Sequence, residues 1–146
     1  MIKKFKQFNE GVLQHMKGPS EEDIWNTLKD FSPNVILVES CKIGFLEGVK
    51  DAIENDADVN QGNGYPLYLA TENGHIDIVK FLLENGAKVS EDKEEIEIAI
   101  RHRFYEIVEL LLEKCDITKI DFDSLLRQAD NLKDTKMKNI LIKYKK

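Results

Sequence analysis

Hydrophobic residues recur at helical spacing in short runs that glycine, proline or asparagine separates. The clearest stretch, residues 65–89, reads YPLYLATENGHIDIVKFLLENGAKV. Pro66 opens a first helix, where a missing N–H costs nothing, and Gly74 ends it, because glycine accepts a positive φ. A second helix follows and stops at the C-cap Gly86. Its apolar face is spaced for a helix and consists of Ile76, Ile78, Val79, Leu82 and Leu83. The pattern predicts two short helices that share one apolar side and cannot bury it alone.

Related patterns occur on both sides of this stretch. Leu37, Gly44 and Val49 align with Leu67, Gly74 and Val79 at an offset of 30, and residues 91–118 follow at an offset of 29. The ordered motifs Pro-Leu…Ala, Gly-His, Ile-Val, Leu-Leu and Asn-Gly-Ala resemble an ankyrin repeat. The resemblance implies an all-α solenoid of stacked helix-turn-helix units with N- and C-terminal helical caps. We predict an N-terminal segment at 1–32, repeats at 33–60, 61–90 and 91–118, and a C-terminal cap repeat at 119–146.

The repeats are shorter than the usual ankyrin unit of about 33 residues. The missing residues fall between Ala57 and Pro66, where the projecting β-turn would lie. Such shortened turns are similar to those in the repeats of large DNA viruses and phages. Tyr65 and Tyr68 stand where the family's Thr and His usually sit, so the hydrogen bonds that those residues make between neighbouring turns lose their usual partners.

The N-terminal part of the chain contains two further helical patterns. Ser20 and the acids after it predict a capped helix whose Trp25 packs in the cap core or, alternatively, serves as an exposed binding anchor. Residues 1–19 have the spacing of a short amphipathic helix, which would cap the first repeat or act as a docking or targeting segment. The opening IKKFKQFNE also resembles the N-termini of proteins from large tailed phages, where such a start can direct packaging into the prohead.

The charge distribution argues against several classes of partner. The net charge is −6, and residues 20–99 carry six lysines against eighteen acids. An acidic body repels phosphate backbones, so we expect no nucleic acid partner. The sequence predicts neither a membrane helix nor export. Cys41 and Cys115 have no metal-ligand spacing and are interpreted as small buried hydrophobic residues, which favours a cytoplasmic protein.

The sequence offers no convincing catalytic or metal-binding constellation, so we predict no enzyme, metal or cofactor. His15, His75 and His102 lack a His or Cys partner at helical metal-ligand spacing. His75 occupies the Gly-His position of the repeat, where the resemblance implies a structural bond to the local backbone. The acidic run Glu91-Asp92-Lys93-Glu94-Glu95 is interpreted as mostly a solvated turn and first helical turn.

A protein-binding surface remains. By resemblance, ankyrin stacks bind other proteins with their turns and with the exposed side of each first helix, which form a concave strip. Shortened turns would flatten this groove. Tyr65 and Tyr68 alternatively pack between adjacent turns. On first helices, the resemblance implies the binding positions Lys42, Ile43, Glu72, Asn73, Arg101, His102, Asp130 and Asn131. The turn positions, together with Tyr68, complete the predicted binding surface: Gln61, Asn63, Tyr65, Tyr68, Asp92, Lys93 and Glu94.

Two classes of function fit these features. The first is a monomeric or weakly oligomeric interaction module that binds and modulates or inhibits a host protein, as in phage or viral counter-defence. The second is a virion-associated structural or internal protein that its N-terminal segment directs into particles. A ligand-binding sensor is less favoured, because no apolar cleft with convergent polar groups is predicted.

Overall fold

The computed structural model describes residues 20–145, and helices fill most of that range. The predicted amphipathic helix and the phage-like opening in residues 1–19 lie outside the described residues. In chain order the helices are α1 (Glu21–Leu28), α2 (Pro33–Ile43), α3 (Leu46–Glu54), α4 (Gln61–Glu72), α5 (Ile76–Glu84), α6 (Glu94–Arg101), α7 (Tyr105–Lys114), a 3₁₀ turn (Ile117–Lys119), α8 (Phe122–Asn131) and α9 (Thr135–Tyr144). Residues 20–145 contain no β-strand.

The helices form two parallel rows. Helices α2, α4, α6 and α8 each contact the next helix of the first row, and α3, α5, α7 and α9 do the same in the second row. Each first helix also packs against the second helix that follows it. Such a row of repeated helix pairs, each contacting only its neighbours, is a helical solenoid. The predicted all-α architecture is confirmed.

The core lies between the two rows and repeats with the chain. Ala52, Leu82, Leu111 and Leu141 hold the same place in the four second helices, and all four are fully buried. The apolar side that one helix pair cannot bury is therefore covered by the next pair, at about 25 cal/mol per Å² of apolar surface removed from water. Helix α1 closes the N-terminal end: Leu28 is fully buried, and Trp25 packs half-buried against the core.

The two cysteines differ in their surroundings. Cys41 is fully buried in α2, and burial raises the pKa of its thiol to about 12, as suits a small core residue. Cys115 was expected at a buried helix position, but it is the extended C-cap residue of α7 and is only half-buried. The helix ends one residue earlier than the apolar pattern indicated.

The turns within the helix pairs form a row of left-handed residues. Gly44 and Gly74 have φ of 82° and 72°. A Cβ on Gly44 would lie 2.7 Å from Cε1 of His75, whose Nε2 lies 3.2 Å from the Lys42 carbonyl oxygen. The imidazole thus has the predicted structural role, although it contacts the backbone of the preceding repeat and not its own. The Phe104 ring covers Gly74 in the same way.

The loops that precede the first helices are joined by asparagine. The side chain of Asn60 accepts a hydrogen bond from the Lys88 N–H (2.9 Å) and donates one to the Gly86 carbonyl (3.0 Å). Asn34 makes the equivalent link one repeat earlier, accepting from the Asp58 N–H at 2.8 Å. Amide side chains therefore connect neighbouring turns where Tyr65 and Tyr68 replace the usual residues.

Candidate functional site

One cleft lies on the first-helix row, between the start of α4 and the loop that enters α6. Its volume is about 480 Å³. The left-handed turn Gly62-Asn63-Gly64 lets α4 begin its regular course at Tyr65, which places the tyrosines at the cleft. Six of the predicted binding residues line the cleft together: Asn63, Tyr65, Tyr68, Glu72, Asp92 and Glu94.

Two stacked tyrosines form one wall of the cleft. The ring centroids of Tyr65 and Tyr68 are 6.2 Å apart, with 15° between the ring planes. Tyr65 is 47% exposed, so it does not fill a gap between turns. The Tyr68 hydroxyl donates to Oε1 of Glu72 at 3.3 Å. Burial, followed by the negative charges of Glu72 and Glu94, raises the pKa of Tyr68, which therefore keeps its proton at neutral pH.

Carboxylates form the rest of the cleft. Glu72, Asp92 and Glu94 are exposed, whereas Glu95 is only 1% exposed. Oε2 of Glu95 accepts hydrogen bonds from the hydroxyl (2.5 Å) and the N–H (3.2 Å) of Ser90. The Ser90 hydroxyl, followed by the Glu94 N–H, holds the pKa of Asp92 below its usual range. Among residues 20–145, none of these four carboxylates forms an ion pair.

Lys93 is the cation nearest in sequence to these acids, but its side chain binds backbone carbonyls of its own loop. Its backbone is left-handed, with φ of 62°, and its Nζ donates to the carbonyls of Ser90 (2.9 Å) and Glu91 (3.2 Å). The predicted binding residue Lys93 is therefore a loop-stabilising residue that does not line the cleft. Among the described residues that line the cleft, none is basic, so its negative charge is not balanced there.

Glu95 departs from the expectation that the acidic run is mostly solvated. At the offset of 29 it corresponds to Pro66, which is also buried. The alignment with Pro66 was a sequence signal for a buried position, but the acidic side chain suggested an exposed one. Sequence reasoning also missed Gly62, Leu69 and Ser90, the other residues that line the cleft.

The remaining predicted residues lie outside the cleft, and several stabilise the local fold. Gln61 donates to the Asn34 carbonyl at 2.9 Å, and the Asn73 side chain donates to the Leu69 carbonyl at 2.8 Å. Ile43 packs half-buried on the core, and the Lys42 carbonyl faces His75. The structure does not gather these residues around the tyrosines.

The C-terminal members of the predicted set lie at the ends of α6 and α8. Arg101 is exposed at the end of α6, and the ring of the next residue, His102, stacks on Phe104 with centroids 5.4 Å apart. Asp130 pairs with Lys138 at 2.7 Å, and Asn131 is exposed beside it. These residues continue the first-helix row but make no cleft with Tyr65.

Within residues 20–145, no three or more His, Cys, Asp or Glu side chains are grouped so as to hold a metal ion. None of the helices in the described part of the chain is both long and apolar enough to cross a membrane.

Stacked helix pairs, glycine-linked turns and a cleft on the first-helix row define a helical repeat protein of the protein-binding kind. Residues 25–121 match the family description "Ankyrin repeats (3 copies)". This chain belongs to the ankyrin repeat family.

The chain is also similar to segments of much longer proteins. It is 37% identical over 97 residues to BTB/POZ domain-containing protein 3 of Schizosaccharomyces pombe, covering 64% of this chain and 18% of that protein. It is 39% identical over 66 residues to Probable E3 ubiquitin-protein ligase XBOS33 of Oryza sativa subsp. japonica, covering 42% and 13%. It is 34% identical over 64 residues to human Ankyrin repeat and KH domain-containing protein 1, covering 44% and 2%. The matches thus span less than a fifth of each relative. The viral or phage repeat type remains a prediction.

Proposed function

We propose that this chain is a non-catalytic cytoplasmic module that binds another protein through the concave side of its first-helix row. Ankyrin repeats are protein-interaction units, and this family membership supports the coarse assignment. The observation that carries the location is the stacked pair of Tyr65 and Tyr68 beside carboxylates that form no ion pair within residues 20–145. Tyrosine is enriched among residues that dominate binding energy, because it offers a large, rigid contact area.

The biological role that we favour is binding and inhibiting a host protein, as a phage or virus would do in counter-defence. The short repeats and the acidic body support this role, because a strongly negative surface attracts a basic partner over long range. The similarity of residues 2–10 to phage N-termini instead favours a virion-associated protein, which is the second candidate.

A capture experiment tests the binding function. The tagged chain is incubated with lysate of its native host, and retained proteins are identified by mass spectrometry. Replacing Tyr65, Glu72 and Arg101 together by Ala should abolish capture. A control triple variant, Lys80→Ala, Glu84→Ala and Glu106→Ala, changes exposed positions of the second-helix row and should capture normally. Undiminished capture by the first variant would move the site to the convex side or to the chain ends.

The two biological roles predict different locations. A soluble one-to-one complex with a host protein would favour the inhibitor. Recovery of the chain from purified particles, with its first residues removed, would favour the virion-associated protein.

A further inference from the structure

We propose that the tyrosine–carboxylate cleft receives an arginine side chain from an extended basic segment of the partner. This inference rests on the proposed protein-binding function and names the chemistry that the cleft recognises. The cleft is defined by Tyr65, Tyr68, Glu72, Glu94 and Glu95.

The charge of the cleft requires a cationic occupant. Within residues 20–145, no lysine or arginine lines it, and its acids form no ion pair. Exposed carboxylates alone would simply be hydrated. Glu95 differs because it is 99% buried and bonds Ser90 through Oε2 alone. In the described part of the chain, Oε1 of Glu95 accepts no hydrogen bond, and this buried residue contributes to the cleft lining. Because Ser90 already fixes the carboxylate through Oε2, Oε1 is free to accept a hydrogen bond from a donor that a ligand brings into the cleft.

The aromatic wall favours arginine over lysine. The rings of Tyr65 and Tyr68 lie 15° from parallel, and Tyr65 is about half exposed, so a face of the pair is open to a flat group. A guanidinium is planar, stacks on tyrosine faces and donates two parallel hydrogen bonds to one carboxylate. A guanidinium is also less strongly hydrated than an ammonium group, so it loses less hydration free energy when it enters a cleft.

The neighbouring repeat indicates what flanks the arginine. At the offset of 30, Val35 and Val38 of α2 correspond to Tyr65 and Tyr68, and Val35 is 37% exposed. Adjacent packed helices lie about 10 Å apart. An extended chain advances about 3.3 Å per residue, so a residue three positions from the arginine reaches α2. An apolar side chain at that distance suits the two valines.

The probe is a heptapeptide, Val-Gly-Gly-Arg-Gly-Gly-Val, acetylated, amidated and fluorescently labelled. Matched peptides carry lysine or citrulline in place of arginine; citrulline keeps the planar shape and loses the charge. Binding to the full chain is measured by fluorescence anisotropy at low and physiological salt. We expect the arginine peptide to bind at least tenfold more tightly than the citrulline peptide and severalfold more tightly than the lysine peptide.

The protein variants separate local recognition from general charge attraction. Glu72→Gln with Glu94→Gln removes two charges from the cleft, and Glu84→Gln with Glu106→Gln removes two from exposed second-row positions. We expect the first pair of substitutions to weaken binding of the arginine peptide at least tenfold, and the second pair to weaken it less than twofold. Tyr68→Phe, which keeps the ring, should retain most of the binding, whereas Tyr68→Ala should lose it. Circular dichroism checks that each variant is folded.

Three results would overturn the inference: equal binding of the citrulline peptide, equal damage by the two glutamine pairs, or no binding of the arginine peptide. If none of the peptides binds but the captured partner still depends on Tyr65, Glu72 and Arg101, the arginine inference fails and the proposed function stands. If capture is also insensitive to those residues, the proposed concave binding surface fails with it.

Discussion

The turns in the middle of the stack and the two turns at its C-terminal end are joined to their neighbours by different chemistry. In the middle, a left-handed glycine leaves room for a ring from the next repeat, as with Gly74 and Phe104. At the C-terminal end, Arg103 takes the left-handed position with φ of 61°. Its Nη2 donates to the Leu132 carbonyl at 2.9 Å, and its Nε lies 3.6 Å from Asp134. The repeat thus requires a left-handed turn, while the contact across the turn can be either packed or polar.

Asp134 concentrates several contacts at the last turn. It caps α9 by accepting from the Met137 N–H at 3.0 Å, and it accepts from the Tyr105 hydroxyl at 3.1 Å. The carboxylate is 6% exposed, but the Arg103 side chain is 53% exposed, so solvent screens their ion pair. The cap and the Tyr105 hydrogen bond are therefore expected to contribute more than this ion pair.

The largest expected effect comes from filling a packed turn. Gly74→Ala places a Cβ 2.8 Å from Cζ of Phe104 and forces alanine to a φ of 72°. We expect a loss of about 3 kcal/mol in the free energy of unfolding, measured by urea titration. Gly86→Ala is the matched control, because its φ is 91° but no atom of the described residues lies within 4 Å of the added Cβ. It should lose about 1 kcal/mol. Equal losses would show that ring packing at the turn contributes nothing.

The polar turn should be somewhat less sensitive. Asp134→Ala removes a helix cap and the acceptor of Tyr105, so we expect a loss of about 2 kcal/mol in urea unfolding. Asp121→Ala removes only the exposed cap of α8, an acceptor for the Ser124 N–H, and should cost about 1 kcal/mol. If Asp121→Ala proves the more damaging substitution, the role assigned to the Asp134 contacts is wrong.

At the position of Ser40, where the other repeats carry alanine, the first repeat has a buried hydroxyl, and removing it should stabilise the protein. Ser40 is fully buried, and its Oγ has no hydrogen-bond partner in the described part of the chain. The equivalent positions hold Ala70, Ala99 and Ala129. Ser40→Ala should raise the free energy of unfolding by about 1 kcal/mol, since a desolvated, unpaired hydroxyl is lost. Ala70→Ser provides the reverse test and should lower it. A destabilised Ser40→Ala protein would indicate that the hydroxyl is satisfied in solution.

The smallest expected effect concerns the ionisation of two tyrosines, Tyr68 in the cleft and Tyr105 at the polar turn. Burial is the first cause that raises the pKa of both Tyr68 and Tyr105, and nearby carboxylates add to it. A raised pKa in the folded state means that the fold favours the protonated phenol over the phenolate. The resulting contribution to the free energy of unfolding is present below the ordinary tyrosine pKa of about 10 and is lost as the pH rises through the folded value. Ultraviolet titration should show Tyr68→Phe and Tyr105→Phe each removing a late-ionising phenol. Loss of an early-ionising phenol instead would contradict the environment described for that residue.

The helices and their ends could be predicted from sequence because their signals are local. Ser20 caps α1 with a full capping box, and Gly74 and Gly86 are left-handed where the pattern required it. The end of α3 was harder to predict, because Asp56 stands in place of the usual glycine and adopts a φ of 66°. Arg103 and Lys133 show the same substitution, so the position in the repeat, and not the residue type, decided the turn.

The site was predictable only in part. Tyr65, Tyr68 and Glu72 followed from the repeat register, but Gln61 and Lys93 proved to be occupied in stabilising loops. Nothing in the local pattern distinguished a side chain that faces a neighbour's carbonyl from one that faces solvent. Their partners lie on separate segments or across a turn, and only the folded chain brings them into place.

By itself the sequence determined the repeating helix pairs, the turns and the family, because apolar period and glycine placement act within a few residues. The tertiary structure alone decided that Glu95 is buried, that Asn60 links two loops and that two tyrosines line a cleft with carboxylates that form no ion pair within residues 20–145. These features join groups nearly one repeat apart in the chain. Their distances depend on how closely each helix pair stacks on the next, and that spacing is set by the packing of the whole core.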